Sequence, residues 1–155
     1  MNPKHISAPL VVIAAVSERN RQNVMSAMKS IGKQWREGAK IGKRDVVFTW
    51  MDGDRWSSWL KSMYGIVDAG RAETPSVVIV DHGVSIIRPL PYLVKLTYDN
   101  QSLVYYDVDP NGSKIHLTHQ SIASTLEHIA KGKAKAKHSE NFFERTVRVS
   151  AFTFL

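Results

Sequence analysis

The chain has 155 residues, 43% of them apolar, which is enough for one domain with a buried core and too apolar for a disordered chain. It has no cysteine, which excludes disulfide staples, thiolate catalysis and cysteine-ligated metal sites but leaves the redox compartment open. The net charge of +7 and pI of about 9.7 suit anionic partners, yet apart from Lys131, Lys133, Lys135 and Lys137 the basic residues are dispersed, and no nucleic-acid motif accompanies them; a solvated basic surface and no nucleic-acid partner are expected.

In chain order, residues 1–9 are a short extension. The run Leu10-Val11-Val12-Ile13-Ala14-Ala15-Val16 has the length and continuous apolarity of a strand covered on both faces. Residues 18–37 follow as a helix, with Val24, Met25, Met28, Ile31 and Trp35 at helical spacing and Gly38 as its C-terminal cap. Residues 45–51, rich in Val, Phe and Trp, read as a second strand. Asp52-Gly53-Asp54 reads as a turn with Asp54 capping the next helix, in which Trp56, Trp59, Leu60 and Met63 make one apolar stripe and Gly65 closes the end.

A third strand spans residues 75–81 and a fourth residues 103–108. Asp109-Pro110-Asn111-Gly112 then turns the chain back. Thr118 caps a last helix carrying Ile122, Leu126 and Ile129, which Gly132 ends. Helices between the early strands imply parallel pairing there, and short turns imply antiparallel pairing later. The domain is expected over residues 10–133, with a basic linker and tail over 134–155. About twenty residues, roughly 83–102, interrupt the hairpin between the third and fourth strands, which is long for a compact domain. Two origins stand open: a loop or extra strand using residues 92–98, or a retained intron.

Several segments together carry a resemblance. They are Phe48-Thr49-Trp50-Met51-Asp52-Gly53, Trp59-Leu60, Tyr64-Gly65-Ile66, Thr74-Pro75 with the strand to Asp81, Tyr105-Tyr106-Asp107, and Ile129-Ala130-Lys131-Gly132-Lys133. From Leu10 to about Arg145 the chain resembles the protein disulfide isomerase family of the thioredoxin superfamily. The resemblance implies an α/β, thioredoxin-like fold lacking its first β-α unit, a mixed sheet flanked by helices. Loss of that unit would leave the 45–51 strand at a sheet edge, where apolar edges invite pairing with another chain. In the superfamily the proline ahead of the central strand is usually cis and faces a Cys-x-x-Cys pair at a helix N-terminus. Here that stretch is Glu18-Arg19-Asn20-Arg21, so the resemblance is to the redox-inactive domains and the chain is not expected to be an enzyme on its own.

The resemblance further implies a spacer role, or binding of unfolded polypeptide clients, beside a catalytic thioredoxin domain of a parent isomerase in the endoplasmic reticulum lumen, without a cofactor. The segment from Ser139 onward resembles the linker of the membrane-anchored, thioredoxin-related group, which implies membrane proximity. No run in the chain reaches the ~20 apolar residues that a span needs. Leu10 to Val16 is too short and wrongly flanked for a signal peptide.

Val16, Ser17, Thr74, Pro75, Trp50, Trp56 and Met28 are the peptide-binding candidates: the first four surround the missing thiols, and the Trp and Met side chains suit promiscuous apolar contact, although core packing is the default for them. Asn100 and Asn111 fit the glycosylation pattern, but Asn111-Gly112 also serves a turn. His116, His119 and His128 lack metal-ligand spacing, and Asp52 with Asp54 is better explained by a turn and a cap than by a catalytic pair. An interaction module that pairs through the sheet edge, without chaperone activity, is the alternative function.

Overall fold

The structure is a computed structural model that describes residues 6–7, 9–38, 44–81, 84–85 and 103–139. Its main sheet has five strands, β2 (Leu10–Val16), β3 (Val46–Asp52), β4 (Ser76–Asp81), β6 (Leu103–Tyr106) and β7 (Lys137–Ser139), in the order β3-β2-β4-β6-β7. Three helices accompany it: α1 (Arg21–Glu37), α2 (Ser57–Tyr64) and α3 (His119–Ala130). The β2–β3 pair is parallel and all other pairs in this sheet are antiparallel, which makes a mixed, open α/β sheet. Two short strands, β1 (Ile6–Ser7) and β5 (Val84–Ser85), pair antiparallel and continue the β2–β4 register outward, so Leu10↔Asp81 is followed by Ser7↔Val84.

Alternation along β2 divides the core into two layers. Leu10, Val12, Ala14 and Val16 face Val24, Met28 and Ile31 of α1 and Ile122 and Leu126 of α3. Ile13 and Ala15 face Leu60, Met63 and Tyr64 of α2, with Ile66, Val78, Val80 and Tyr105. Helices α1 and α3 therefore cover one face of the sheet and α2 the other. Both faces of β2 and β4 are covered, which is why their sequences are continuous apolar runs rather than alternating ones. Each fully buried Val, Leu or Ile contributes roughly 1.5–3 kcal/mol.

The strand of residues 45–51 lies, as expected, at one edge of the sheet: among the described residues β3 pairs with β2 alone. Among the described residues the other edge is β7, which falls within the stretch expected to be linker. Lys137 Nζ binds Asp107 Oδ2 at 2.6 Å and pins it to the end of β6.

Local signals and structure differ at several points, among them the fourth strand, which ends at Tyr106 rather than residue 108. Helix α1 starts at Arg21 rather than residue 18, because residues 18–20 form a turn in which the Asn20 N–H donates to Ser17 O and the Ser17 N–H to Asn20 Oδ1. Asp54 does not cap α2; Asp52 Oδ1 accepts the Asp54 and Arg55 N–H groups at 3.0 and 3.2 Å, and Trp56 occupies the cap position. Strand β4 opens at Ser76, since Pro75 has no N–H to offer a ladder. The Thr74–Pro75 peptide is trans, not the cis form that the resemblance implies, and trans is the ordinary preference of X-Pro by about 0.5–1 kcal/mol.

The other caps follow expectation. Thr118 Oγ1 accepts the Ser121 N–H, and Gly65 ends α2 at φ +65°. The interruption over residues 83–102 lies outside the described residues apart from β5. Asn100 and the tail from residue 140 onward lie outside them as well.

Candidate functional site

The parallel strands β2 and β3 end side by side at Val16 and Asp52, and α1 begins just beyond. In open α/β sheets the crevice outside the carboxyl ends of parallel strands is where ligands bind. Three segments converge there: residues 17–21, residues 50–56 and residues 68–75.

The first and third are joined by a polar clasp. Asn20 Nδ2 donates to Ala72 O at 3.4 Å and to Glu73 O at 3.5 Å, and Ser17 Oγ donates to Ala72 O at 3.5 Å. Ser17 is buried, 1% exposed. Within the stretch 18–21, where the resemblance seeks redox thiols, Asn20 is tied to the backbone just before Thr74-Pro75, and the hydroxyl of the preceding Ser17 joins it. Neither group can ionise to a nucleophile as a thiol does.

The second segment crosses the third at van der Waals limits. Gly53 donates its N–H to Val16 O at 2.7 Å, and a Cβ added to Gly53 would lie 2.5 Å from the Ala69 carbonyl. Asp68, in the facing loop, has φ +57° and accepts the N–H groups of Arg71 and Ala72. A polar concavity of about 400 Å³ remains between these loops and α2, bordered by Asp54, Ser57, Lys61, Asp68 and Arg71.

Charge and aromatics meet at the end of β3. Arg21 Nη2 donates to Asp52 Oδ2 at 2.8 Å, and the same guanidinium lies 5.9 Å over the Trp50 ring. A cation at the first residue of a helix opposes the helix dipole, and Asp52 offsets it. The N–H groups of Arg55 and Asp54, with the Arg21 and Arg55 guanidiniums, hold the Asp52 carboxyl below its usual range. Arg55 in turn lies 5.6 Å over Trp56. From Trp56 a ladder of edge-to-face rings runs inward through Trp59 and Tyr64 to Tyr105, at 6.4, 5.4 and 5.3 Å. Burial pushes the Tyr64 phenol up to about 12.

The seven peptide-binding candidates are not one surface. Val16 and Met28 are core residues, 0% and 4% exposed, packed in the α1 layer, so neither side chain reaches a ligand. Ser17 is committed to the clasp. Thr74 is exposed and Pro75 half-buried beside it. Trp50 and Trp56, at 36% and 43%, are the exposed aromatics among the described residues, each under an arginine. Asn111 is exposed within its turn, where Asp109 Oδ1 accepts its N–H.

Sequence reasoning missed Arg21, Arg55 and Asn20 as partners of these groups. A signal was present only for Arg21 and Arg55, as cations near tryptophans; the Asn20 clasp spans more than fifty residues and has no local signature. Among the described residues no group of three or more His, Asp or Glu side chains could hold a metal ion, and no helix is long and apolar enough to cross a membrane. The chain matches no protein-family model, no curated protein and no solved structure.

Proposed function

We propose that this chain is a redox-inactive domain of thioredoxin-like architecture that acts by binding polypeptide rather than by disulfide chemistry. One observation carries the reading. The βαβαββα path places its strands in the order β3-β2-β4-β6, with α1 and α3 on one face and α2 on the other, and the Ser17–Asn20 clasp stands where that architecture would carry thiols. The parent isomerase, the endoplasmic reticulum lumen, the spacer role and the unfolded clients are part of this proposal through the resemblance.

The binding mode that the geometry favours is pairing at the β3 edge. Of the residues expected to hold clients through apolar contacts, Val16 and Met28 are in the core and Trp50 and Trp56 are exposed. Strand β3 has a partner on one side only among the described residues, and Val47 on it is 45% exposed. Strand addition to such an edge supplies affinity through main-chain hydrogen bonds and selectivity through alternate side chains.

An array of extended peptides, read beside an insulin-reduction assay, tests the reading. Turnover of insulin no faster than buffer, with binding confined to sequences able to extend as strands, is the expected result. Reduction above buffer would overturn the redox-inactive assignment. Broad binding to every apolar sequence would replace edge pairing with client holding.

A further inference from the structure

Basic side chains of α1 border the β3 edge on one face. Pairing in parallel with β2 uses the main chain of alternate residues. The Leu10 N–H donates to Asp45 O and the Gly53 N–H to Val16 O, so Val47, Thr49 and Met51 point their N–H and C=O groups at β2. The main-chain groups of Val46, Phe48 and Trp50 then point away from β2, along the outer edge.

Helix α1 borders this edge on one face. Arg21 lies over Trp50, and a Cβ on Gly32 would touch Phe48 at 3.3 Å, so the α1 stripe through residues 21, 25, 28–29, 32 and 36 lies on the β3 side. Met28, with Val24 and Ile31 beside it, turns inward to the core, and Lys29 and Arg36 lie on the exposed side of the stripe. Arg21 shares its charge with Asp52, so on the α1 face Lys29 and Arg36 carry the excess; the exposed Asp45 falls by alternation on the opposite, α2 face, and Arg55 at the carboxyl end stands beside the exposed Asp54. On the α2 face the same strand offers Val47, exposed, and Met51, half-buried.

We infer that the β3 edge takes an extended acidic segment of another protein, with carboxylates alternating with apolar side chains. The carboxylates face Lys29 and Arg36 and the apolar residues face Val47 and Met51. The inference rests on edge pairing, as proposed above, and adds the chemistry of the partner. A second copy of this chain is the wrong occupant. Antiparallel β3–β3 pairing about a two-fold axis would put both α1 helices on the same face, with Arg36 of each copy toward Arg21 of the other and the two Lys29 side chains near each other. Like charges set opposite one another destabilise a strand pair.

The test uses the full chain and three synthetic peptides, each of the seven-residue length of β3: Glu alternating with Val, Ser alternating with Val, and Lys alternating with Val. Affinity is read by fluorescence anisotropy at two salt concentrations, and amide exchange is followed at Val46, Phe48 and Trp50. The Glu–Val peptide is expected to bind at least about tenfold more tightly than the Lys–Val peptide, a preference that salt weakens. The exposed double substitution Lys29→Glu with Arg36→Glu is expected to abolish or invert that preference while the fold is retained by circular dichroism. Equal affinity for all three peptides, with the three edge amides protected, would overturn the acidic preference and leave edge pairing standing. Protection by none of them would overturn both. Concentration-dependent self-association that protects the same amides would overturn the acidic partner in favour of a second copy.

Discussion

At the scale of single residues, the site is shaped by two glycines and a carboxylate more than by its aromatics. Gly53 and Gly70 sit where the 52–54 turn meets the 68–71 loop, but they differ in what a methyl group would strike. At Gly53 it would meet the Ala69 backbone at 2.5 Å, which cannot swing aside, and at Gly70 it would meet first the carboxylate end of Asp54, which can. Gly53→Ala is therefore expected to destabilise the fold by about 1–3 kcal/mol, the usual cost of overpacking. Gly70→Ala should cost less, and urea denaturation midpoints compare the two. A Gly70→Ala loss equal to or above that of Gly53→Ala would mean that the two loops do not meet as described.

Asp52 shows why the carboxylates at this turn were only half legible. An Asp-Gly-Asp turn is plain from sequence, but which carboxylate takes the helix-entry N–H groups depends on the turn geometry, and it is Asp52 rather than Asp54.

At the scale of elements, α2 is tied to the sheet by its aromatic ladder, and Tyr64 is the rung between α2 and β6. Its folded pKa, raised by burial to about 12, exceeds the ordinary phenol value of about 10. The sign follows from linkage. The stabilising contribution is complete below pH about 10 and is lost as the pH climbs toward the folded value, because the unfolded chain releases the proton first. The wild-type urea midpoint is expected to fall over that window, and Tyr64→Phe is expected to flatten the fall while lacking the ionisable group altogether. An identical alkaline decline in both proteins would show that Tyr64 is not buried in the α2–β6 interface.

Elements were legible where the signal was local. The apolar runs of β2 and β4, the left-handed Gly65 and the Thr118 cap all announce themselves within a few residues. Strand β7 did not: Lys137 and His138 have no apolar pattern, and the strand exists because β6 offers a ladder and Asp107 a counter-charge thirty residues away. Met28 belonged to a correct helical stripe, yet periodicity alone could not say that α3 closes over that stripe and removes it from any binding surface.

At the scale of the whole molecule, a mixed sheet with α1 and α3 on one face and α2 on the other has, among the described residues, two edges of unlike character. One is short and basic, β7; the other is seven residues long, β3, flanked by cations on its α1 side and by an exposed valine on its α2 side. A long edge with outward main-chain groups is a hazard unless it is charged or used. On the proposed reading, the charge on α1 guards it against a second copy and makes it selective for an acidic strand.

The proposed function turns on that edge being unpaired in the isolated chain and pairable by a partner. Residue-resolved amide hydrogen exchange measures this most directly. Slow exchange is expected at Val47, Thr49 and Met51, which bond to β2, and fast exchange at Val46, Phe48 and Trp50, with the second group slowed when an extended acidic peptide is added. Slow exchange at Val46, Phe48 and Trp50 in the isolated chain, or no change there with any extended peptide, would contradict the proposal.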